Sequence, residues 1–194
     1  MGPGAAQEED AVLIEQCRAG NHDAFRGLFE RYREQVFRVA YRLVGSREDA
    51  LDLTQETFVK AFTSLDRFRG QASFKTYLTR IAVNACLDFR RRWRPGQMEL
   101  DEERLGAGGP REVASAGETD PAQQAQSNEL QQALRQAVNR LPEALRATFL
   151  LHAIEGFTYR EVAEALEVPV GTVMSRIYYA RNNIRRSVAP FLSP

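Results

Sequence analysis

The stretch Thr158-Tyr159-Arg160-Glu161-Val162-Ala163-Glu164-Ala165-Leu166-Glu167-Val168-Pro169-Val170-Gly171-Thr172-Val173-Met174-Ser175-Arg176-Ile177 decides how the C-terminal part of the chain folds. Thr158 with Glu161 three residues on is a capping box, which satisfies the free amides that open a helix. That helix runs through Leu166, Glu167-Val168-Pro169 make a tight turn, and a last helix runs from about Val170 to Val188. A short capped helix, a brief turn and a longer helix is the arithmetic of a helix-turn-helix. Ala163 is small where the two helices must cross closely. Val173, Ile177, Ala180 and Ile184 recur at helical spacing and form the inward stripe of the last helix. Thr172, Ser175, Arg176 and Tyr179 then point outward, Met174 and Tyr178 lie at the flanks, and Arg181, Arg185 and Arg186 extend a positive edge. A helix N-terminus favours phosphate through its free amides and dipole, so this face is a candidate for duplex DNA. An ordinary helical hairpin has the same outline, and a helix-turn-helix alone does not separate repressor, activator and polymerase subunit.

Upstream, Leu130, Ala133, Leu134, Ala137, Val138 and Leu141 give another helical stripe. Pro142 is placed as the first residue of a helix carrying Leu145, Phe149, Leu150 and Ile154, which Gly156 ends. Residues 96–127 have almost no large apolar side chain and contain Gly106-Ala107-Gly108-Gly109-Pro110, the composition of a flexible linker. The N-terminal part starts with a short helix, about Asp10 to Ala19, closed by Gly20. Asn21 caps a long helix with the stripe Ala24, Phe25, Leu28, Phe29, Tyr32, Val36, Phe37, Ala40, Tyr41 and Val44. After Gly45, Ser46 with Asp49 caps a third helix that is expected to bury Ala50, Leu51, Thr54, Phe58, Ala61, Phe62 and Leu65. Asp49, Asp52, Gln55, Glu56 and Lys60 fall on its other face. Ser73 caps a fourth helix, running to about Trp93 and stopped by Pro95. The expected fold is all-α: two small helical domains, residues 10–95 and 128–194, joined by a flexible acidic linker, residues 96–127.

Charge sharpens this division. The 194 residues carry 26 basic and 26 acidic side chains and no net charge, which on its own offers no sign of a nucleic-acid partner. By segment, residues 10–95 hold 16 basic against 11 acidic residues, residues 96–127 hold 2 against 7, and residues 128–194 hold 8 against 6. A basic segment, an acidic strip and a mildly basic segment have been averaged away. No apolar run approaches the roughly 20 residues of a membrane span, and the acidic N-terminus is unlike a secretory signal. Cys17 and Cys86 alone make neither a disulfide scaffold nor a zinc site and fit a reducing cytosol. His22 and His152 fall in different expected domains, and no nucleophile, phosphate loop or metal-ligand cluster has a usable spacing, which argues against an enzyme and against a cofactor.

Four blocks together resemble one family. Asp49-Ala50-Leu51-Asp52-Leu53-Thr54-Gln55-Glu56-Thr57-Phe58 resembles the polymerase-binding helix of bacterial extracytoplasmic-function RNA polymerase sigma factors, group IV of the sigma-70 superfamily. Phe68-Arg69-Gly70-Gln71-Ala72-Ser73-Phe74-Lys75-Thr76-Tyr77-Leu78 is similar to their promoter-melting loop and helix. Ile81-Ala82-Val83-Asn84-Ala85-Cys86-Leu87-Asp88 resembles the segment that reads the −10 element. Pro169 to Ile177 is similar to their −35-reading helix. The resemblance covers about residues 10–94 and 128–188, in family order and spacing.

The resemblance implies a sigma factor with three classes of partner: core RNA polymerase, promoter DNA as duplex and single strand, and an anti-sigma factor. Asp49, Asp52, Gln55 and Glu56 are then the polymerase-binding residues. Phe68, Arg69, Lys75, Arg80, Asn84 and Arg91 are the −10 residues. Thr172, Met174, Ser175, Arg176, Tyr178, Tyr179 and Arg181 are the −35 residues. An amide such as Asn84 offers a donor and an acceptor to a base edge, although a capped helix residue is its other reading. Phe68 is equally a candidate core anchor of its loop. The linker acids Glu99, Asp101, Glu102, Glu103, Glu112, Glu118 and Asp120 either imitate nucleic-acid charge inside the polymerase or keep the tether expanded. Four positions depart from the family pattern. Tyr77 stands where Trp is frequent, Met174 and Tyr179 where basic residues are frequent, and Glu167 where Gly is frequent, at a cost in strain if that residue is left-handed. The alternative reading is a stand-alone helix-turn-helix regulator that acts without polymerase.

Overall fold

The computed structural model describes residues 3–93 and 121–191, and every regular element among them is helical. Helix α1 spans Pro3–Arg18, so it starts earlier than the expected Asp10. Asp10 lies inside the helix because its buried carboxylate accepts from Arg31 Nη1 at 2.6 Å and from the Tyr32 hydroxyl, pinning α1 to the next helix. Helix α2 spans His22–Val44. Asn21 Oδ1 accepts from the Asp23 amide at 3.0 Å, and Gly45, at φ 78°, donates its amide to Tyr41 O at 2.8 Å. That left-handed cap is inexpensive only for glycine.

Helix α3, Arg47–Thr63, starts with Ser46 Oγ accepting from the Asp49 amide at 3.3 Å. Leu51 was expected inside and is 46% exposed, and Phe62 is also exposed. At 100° per residue, Ala50, Leu53, Thr54, Thr57, Phe58 and Ala61 share the buried arc, and Leu51 and Phe62 fall at its rim. The buried hydroxyls of Thr54 and Thr57 donate to Ala50 O at 2.6 Å and Leu53 O at 2.7 Å, which offsets their desolvation. A 3-10 turn, Leu65–Arg67, and a loop lead to α4, Phe74–Trp93, where Ser73 Oγ accepts from the Thr76 amide at 3.1 Å.

Helix α5 spans Pro121–Asn139, so residues 121–127 of the expected linker are helical. Proline suits a first turn, and the Ala and Gln that follow are good helix formers. The rest of the expected linker, including its seven acids, lies outside the described residues. Pro142 (φ −49°, ψ 142°) precedes α6, Glu143–Phe149, rather than opening it. The chain continues into a π turn, Leu150–Ile154, closed by the Glu155 amide on Leu150 O at 3.0 Å. The wider turn buries Leu150 and Leu151 and swings Ile154, expected inside, out to solvent. Helix α7, Tyr159–Leu166, has the full capping box: the Thr158 amide donates to Glu161 Oε2 at 2.8 Å, and the Glu161 amide donates to Thr158 Oγ1 at 3.2 Å. Glu167 takes the left-handed conformation, φ 53°, before α8, Val170–Val188.

The two helical regions pack together. Val39, Leu43, Val83 and Cys86 from the first share one apolar cluster with Leu151, Phe157, Val162 and Val173 from the second. Burial pushes the Cys86 thiol up to about 12, so it is an inert packing group. The polar centre of this junction is the Leu43 carbonyl in the last turn of α2. It accepts from Arg90 Nη1 of α4 and from Arg146 Nη2 of α6, both at 2.8 Å. Glu155 Oε1 adds a bond to Arg42 at 2.7 Å and Oε2 an ion pair to Arg38 at 3.7 Å. Arg146 is only 4% exposed. Truncating it strands a buried carbonyl interaction and opens a void, so Arg146→Ala is expected to cost about 2–4 kcal/mol in urea unfolding. Arg140→Ala, at an exposed position, is expected to change stability by less than about 0.5 kcal/mol. Equal effects of the two substitutions would remove the junction as a stabilising feature.

Candidate nucleic-acid and protein interfaces

Helix α3 turns Asp52, Gln55 and Glu56 into solvent, with Asp49 half-buried at the edge. Glu56 Oε1 pairs with Lys60 Nζ at 2.6 Å, one turn on. An exposed pair of this kind is worth about 0.3–0.5 kcal/mol, so a partner's cation easily displaces the lysine. Leu51 and Val59, the latter 62% exposed, lie on the same side of α3. The sequence reading missed these two; a helical wheel through Asp52, Gln55 and Glu56 would have included both. The face is therefore acidic with apolar contacts between the charges, a combination that buries area and fixes orientation.

The six residues expected at the −10 element divide into four groups. Asn84 and Arg91 are exposed on one side of α4, where Arg91 Nη1 lies 3.6 Å from Asp88 Oδ1. Arg69 is exposed in the loop before α4. Phe68 is turned inward, with its ring centroid 4.8 Å from that of Tyr77 and 5.8 Å from that of Phe74, so the core-anchor reading describes its place. Lys75 and Arg80 are engaged by the second helical region. Lys75 Nζ sits 4.1 Å over the Phe157 ring, and Arg80 Nη1 bonds Glu167 Oε1 at 3.1 Å. DNA contact through Lys75 or Arg80 requires these interactions to be exchanged for phosphate. Among the described residues, Glu167 is the sole non-glycine at positive φ, and its carboxylate is what pairs with Arg80.

On α8, Val173, Ile177, Ala180 and Ile184 are buried, and Ser175, Arg181, Met174 (53%) and Tyr178 (63%) are exposed. Tyr179 is exposed beside Tyr178, their rings edge to face with centroids 5.6 Å apart. Thr172 and Arg176 are half-buried, and Ser175 Oγ donates to Thr172 O at 3.0 Å. The outward surface is thus polar and basic around an aromatic and thioether patch. Apolar groups of this type meet thymine methyls in the major groove, and arginine meets guanine or phosphate. No group of three or more metal-ligating side chains occurs among the described residues, and no described helix is long and apolar enough to cross a membrane.

Paired α7 and α8, with the second helix exposed on its outward face, define a helix-turn-helix protein whose N-terminal half is a further set of packed helices. Residues 28–94 match the family Sigma-70 region 2, and residues 131–184 match Sigma-70, region 4. The chain is 35% identical over 194 residues to the ECF RNA polymerase sigma-E factor of Haemophilus influenzae, covering 97% of this chain and 100% of that relative. It is 37% identical over 191 residues to the sigma-E factor of Escherichia coli K12, covering 96% and 97%. The chain belongs to the extracytoplasmic-function RNA polymerase sigma factors. Its fold also matches CnrH solved in complex with the cytosolic domain of CnrY (TM-score 0.68, 24% identity, 94% of this chain and 98% of that one). It matches RpoE solved with the anti-sigma factor NepR from Bartonella quintana as well (TM-score 0.61, 23% identity, 85% and 96%).

Asn84 combines an exposed position with an amide able to donate to and accept from a base edge. Asn84→Ala is expected to lower promoter opening, followed by permanganate reactivity of unpaired thymines, about tenfold or more while closed-complex affinity stays within about threefold. Equal losses in both would make Asn84 a general contact residue with no role in base capture.

Proposed function

We propose that this chain acts as a dissociable promoter-specificity subunit, with its regions dividing the work. Residues 10–95 bind core RNA polymerase through Asp49, Asp52, Gln55 and Glu56 and capture the −10 element through the loop at Arg69 and the open side of α4. Residues 128–194 read the −35 element through α8, and the segment between them is a tether. The protein is itself no enzyme, needs no cofactor and works in the cytoplasm. It is controlled by an anti-sigma protein that covers these same faces, a reading supported by the family and by the solved complex of RpoE with NepR.

The observation that carries this reading is the exposed acidic and apolar face of α3 in the same chain as an exposed helix-turn-helix. A stand-alone regulator needs the second feature only. The deciding experiment adds the purified chain to core polymerase and scores runoff transcripts from a genomic fragment library. Promoter-specific transcripts support the proposal. Tight duplex binding by the chain alone, with no transcript from any fragment, supports the stand-alone regulator instead. In the same assay Asp52→Arg with Glu56→Arg places two cations on the α3 face. Core affinity is expected to fall by about 100-fold, since like charges at an interface cost several kcal/mol, while helical content by circular dichroism is unchanged. Unaltered core binding would move the polymerase contact away from α3.

A further inference from the structure

Helix α1 ends at Arg18, before the first residue of the matched Sigma-70 region 2. Arg18 Nη2 donates to the carbonyl of Leu65 at 3.1 Å and to the carbonyl of Phe68, reaching across 47 and 50 residues of sequence. Its Nη1 is steadied by Glu15 Oε1 at 2.5 Å, one turn back in α1. The helix cannot slide. Asp10 is fixed by Arg31 and Tyr32, and Ile14 and Cys17 are packed in the same apolar cluster as Leu65, with Phe68 against it.

The two carbonyls bracket the 3-10 turn Leu65–Arg67, whose closing bond runs from the Phe68 amide to Leu65 O at 3.0 Å. The Leu65 carbonyl thus accepts a second bond, from Arg18, beside the one that closes the turn, and one planar guanidinium serves both carbonyls with charge-assisted bonds. On the opposite side, the Tyr77 hydroxyl shares a hydrogen bond with Ser64 Oγ at 2.7 Å and donates to Ala61 O at 3.4 Å, which an indole at this position would not reproduce. The segment entering the loop is therefore gripped from α1 and from α4. Arg69, Gly70 and Gln71 project beyond the grip into solvent, with Gly70 at φ 69°.

We propose that Arg18 is a positioning residue for promoter opening: by holding the carbonyls of Leu65 and Phe68 it presents Arg69 to Gln71 to an unpaired base without touching DNA itself. This rests on the reading of the loop as a melting element. A loop free to sample many conformations must be ordered when it captures a base, and that entropy is lost from the opening step. Arg18 orders the loop during folding instead. Lysine replaces this grip only in part: its ammonium also has several N–H donors on one nitrogen, but it lacks the second nitrogen that Glu15 holds and the planar geometry that aims Nη2.

The test uses the full chain with core polymerase, on a duplex promoter selected by the wild-type holoenzyme from a random-sequence library. The same promoter is also made with a pre-mismatched bubble at its −10 region. Arg18→Ala is expected to lower permanganate reactivity on the duplex about tenfold, the equivalent of one charge-assisted hydrogen bond, with core affinity within about twofold. The bubble restores most of the signal, Arg18→Lys falls between, and amide exchange of residues 66–72 quickens in Arg18→Ala. Wild-type opening by Arg18→Ala overturns the proposal. So does an equal loss on duplex and bubble, which would make Arg18 a folding residue only. A wild-type holoenzyme that opens no selected promoter overturns the melting reading, and amide exchange in the free protein then still decides whether Arg18 orders the loop.

Discussion

One backbone carbonyl, that of Leu43, sits where the two helical regions meet. It belongs to the last turn of α2, where the helix leaves carbonyls unpaired and its dipole is negative. Arg90 from the first region and Arg146 from the second both donate to it at 2.8 Å. A buried arginine is expensive unless its protons find acceptors, and the helix end supplies one without a second charge. Around it, Leu43, Val83, Leu151 and Phe157 exclude water, which strengthens both bonds. The same interface includes the packing of α4 against α7, the burial of one side of α4 and the engagement of Lys75 and Arg80.

The joint sorts the surfaces of the molecule. The acidic face of α3 and the outward face of α8 remain open. Helix α4 is split lengthwise: Asn84 and Arg91 face solvent, while Val83 and Cys86 are closed over by the second region. Glu167 occupies a backbone conformation that favours glycine, and its carboxylate lies on Arg80. The pair is half-exposed and exchangeable at little cost, in contrast to the apolar contacts beneath it. Of the residues proposed to meet nucleic acid, the packed arrangement therefore leaves Arg69, Asn84 and Arg91 open and engages Lys75 and Arg80 with the chain's own side chains.

Helix periodicity made most of this architecture legible. The caps at Asn21, Ser46 and Thr158, the stop at Gly45 and the inward stripe of α8 all lie where spacing placed them. The readings that failed did so for local reasons. Leu51 and Phe62 were assigned inward by hydrophobicity, although their angle on the helix puts them at the rim. Ile154 was assigned inward on a 3.6-residue period that a π turn breaks. Asp10 was read as a helix start because a carboxylate inside α1 has no visible partner until Arg31 and Tyr32 come within reach. That Phe68 packs against the rings of Phe74 and Tyr77, as a core anchor does, is visible only once the loop is folded onto α4.

By itself the sequence determined the class: the succession of helices, most of their caps, the helix-turn-helix and the four blocks that mark the family. Those features depend on neighbours within about four residues, and local hydrogen bonds and periodicity encode them. Tertiary structure alone decided that Arg18 reaches Leu65 and Phe68, that Arg146 reaches Leu43, and that Lys75 and Arg80 are held by Phe157 and Glu167. These contacts span from about fifty to over a hundred residues of sequence. They depend on how whole helices pack, which no local pattern specifies.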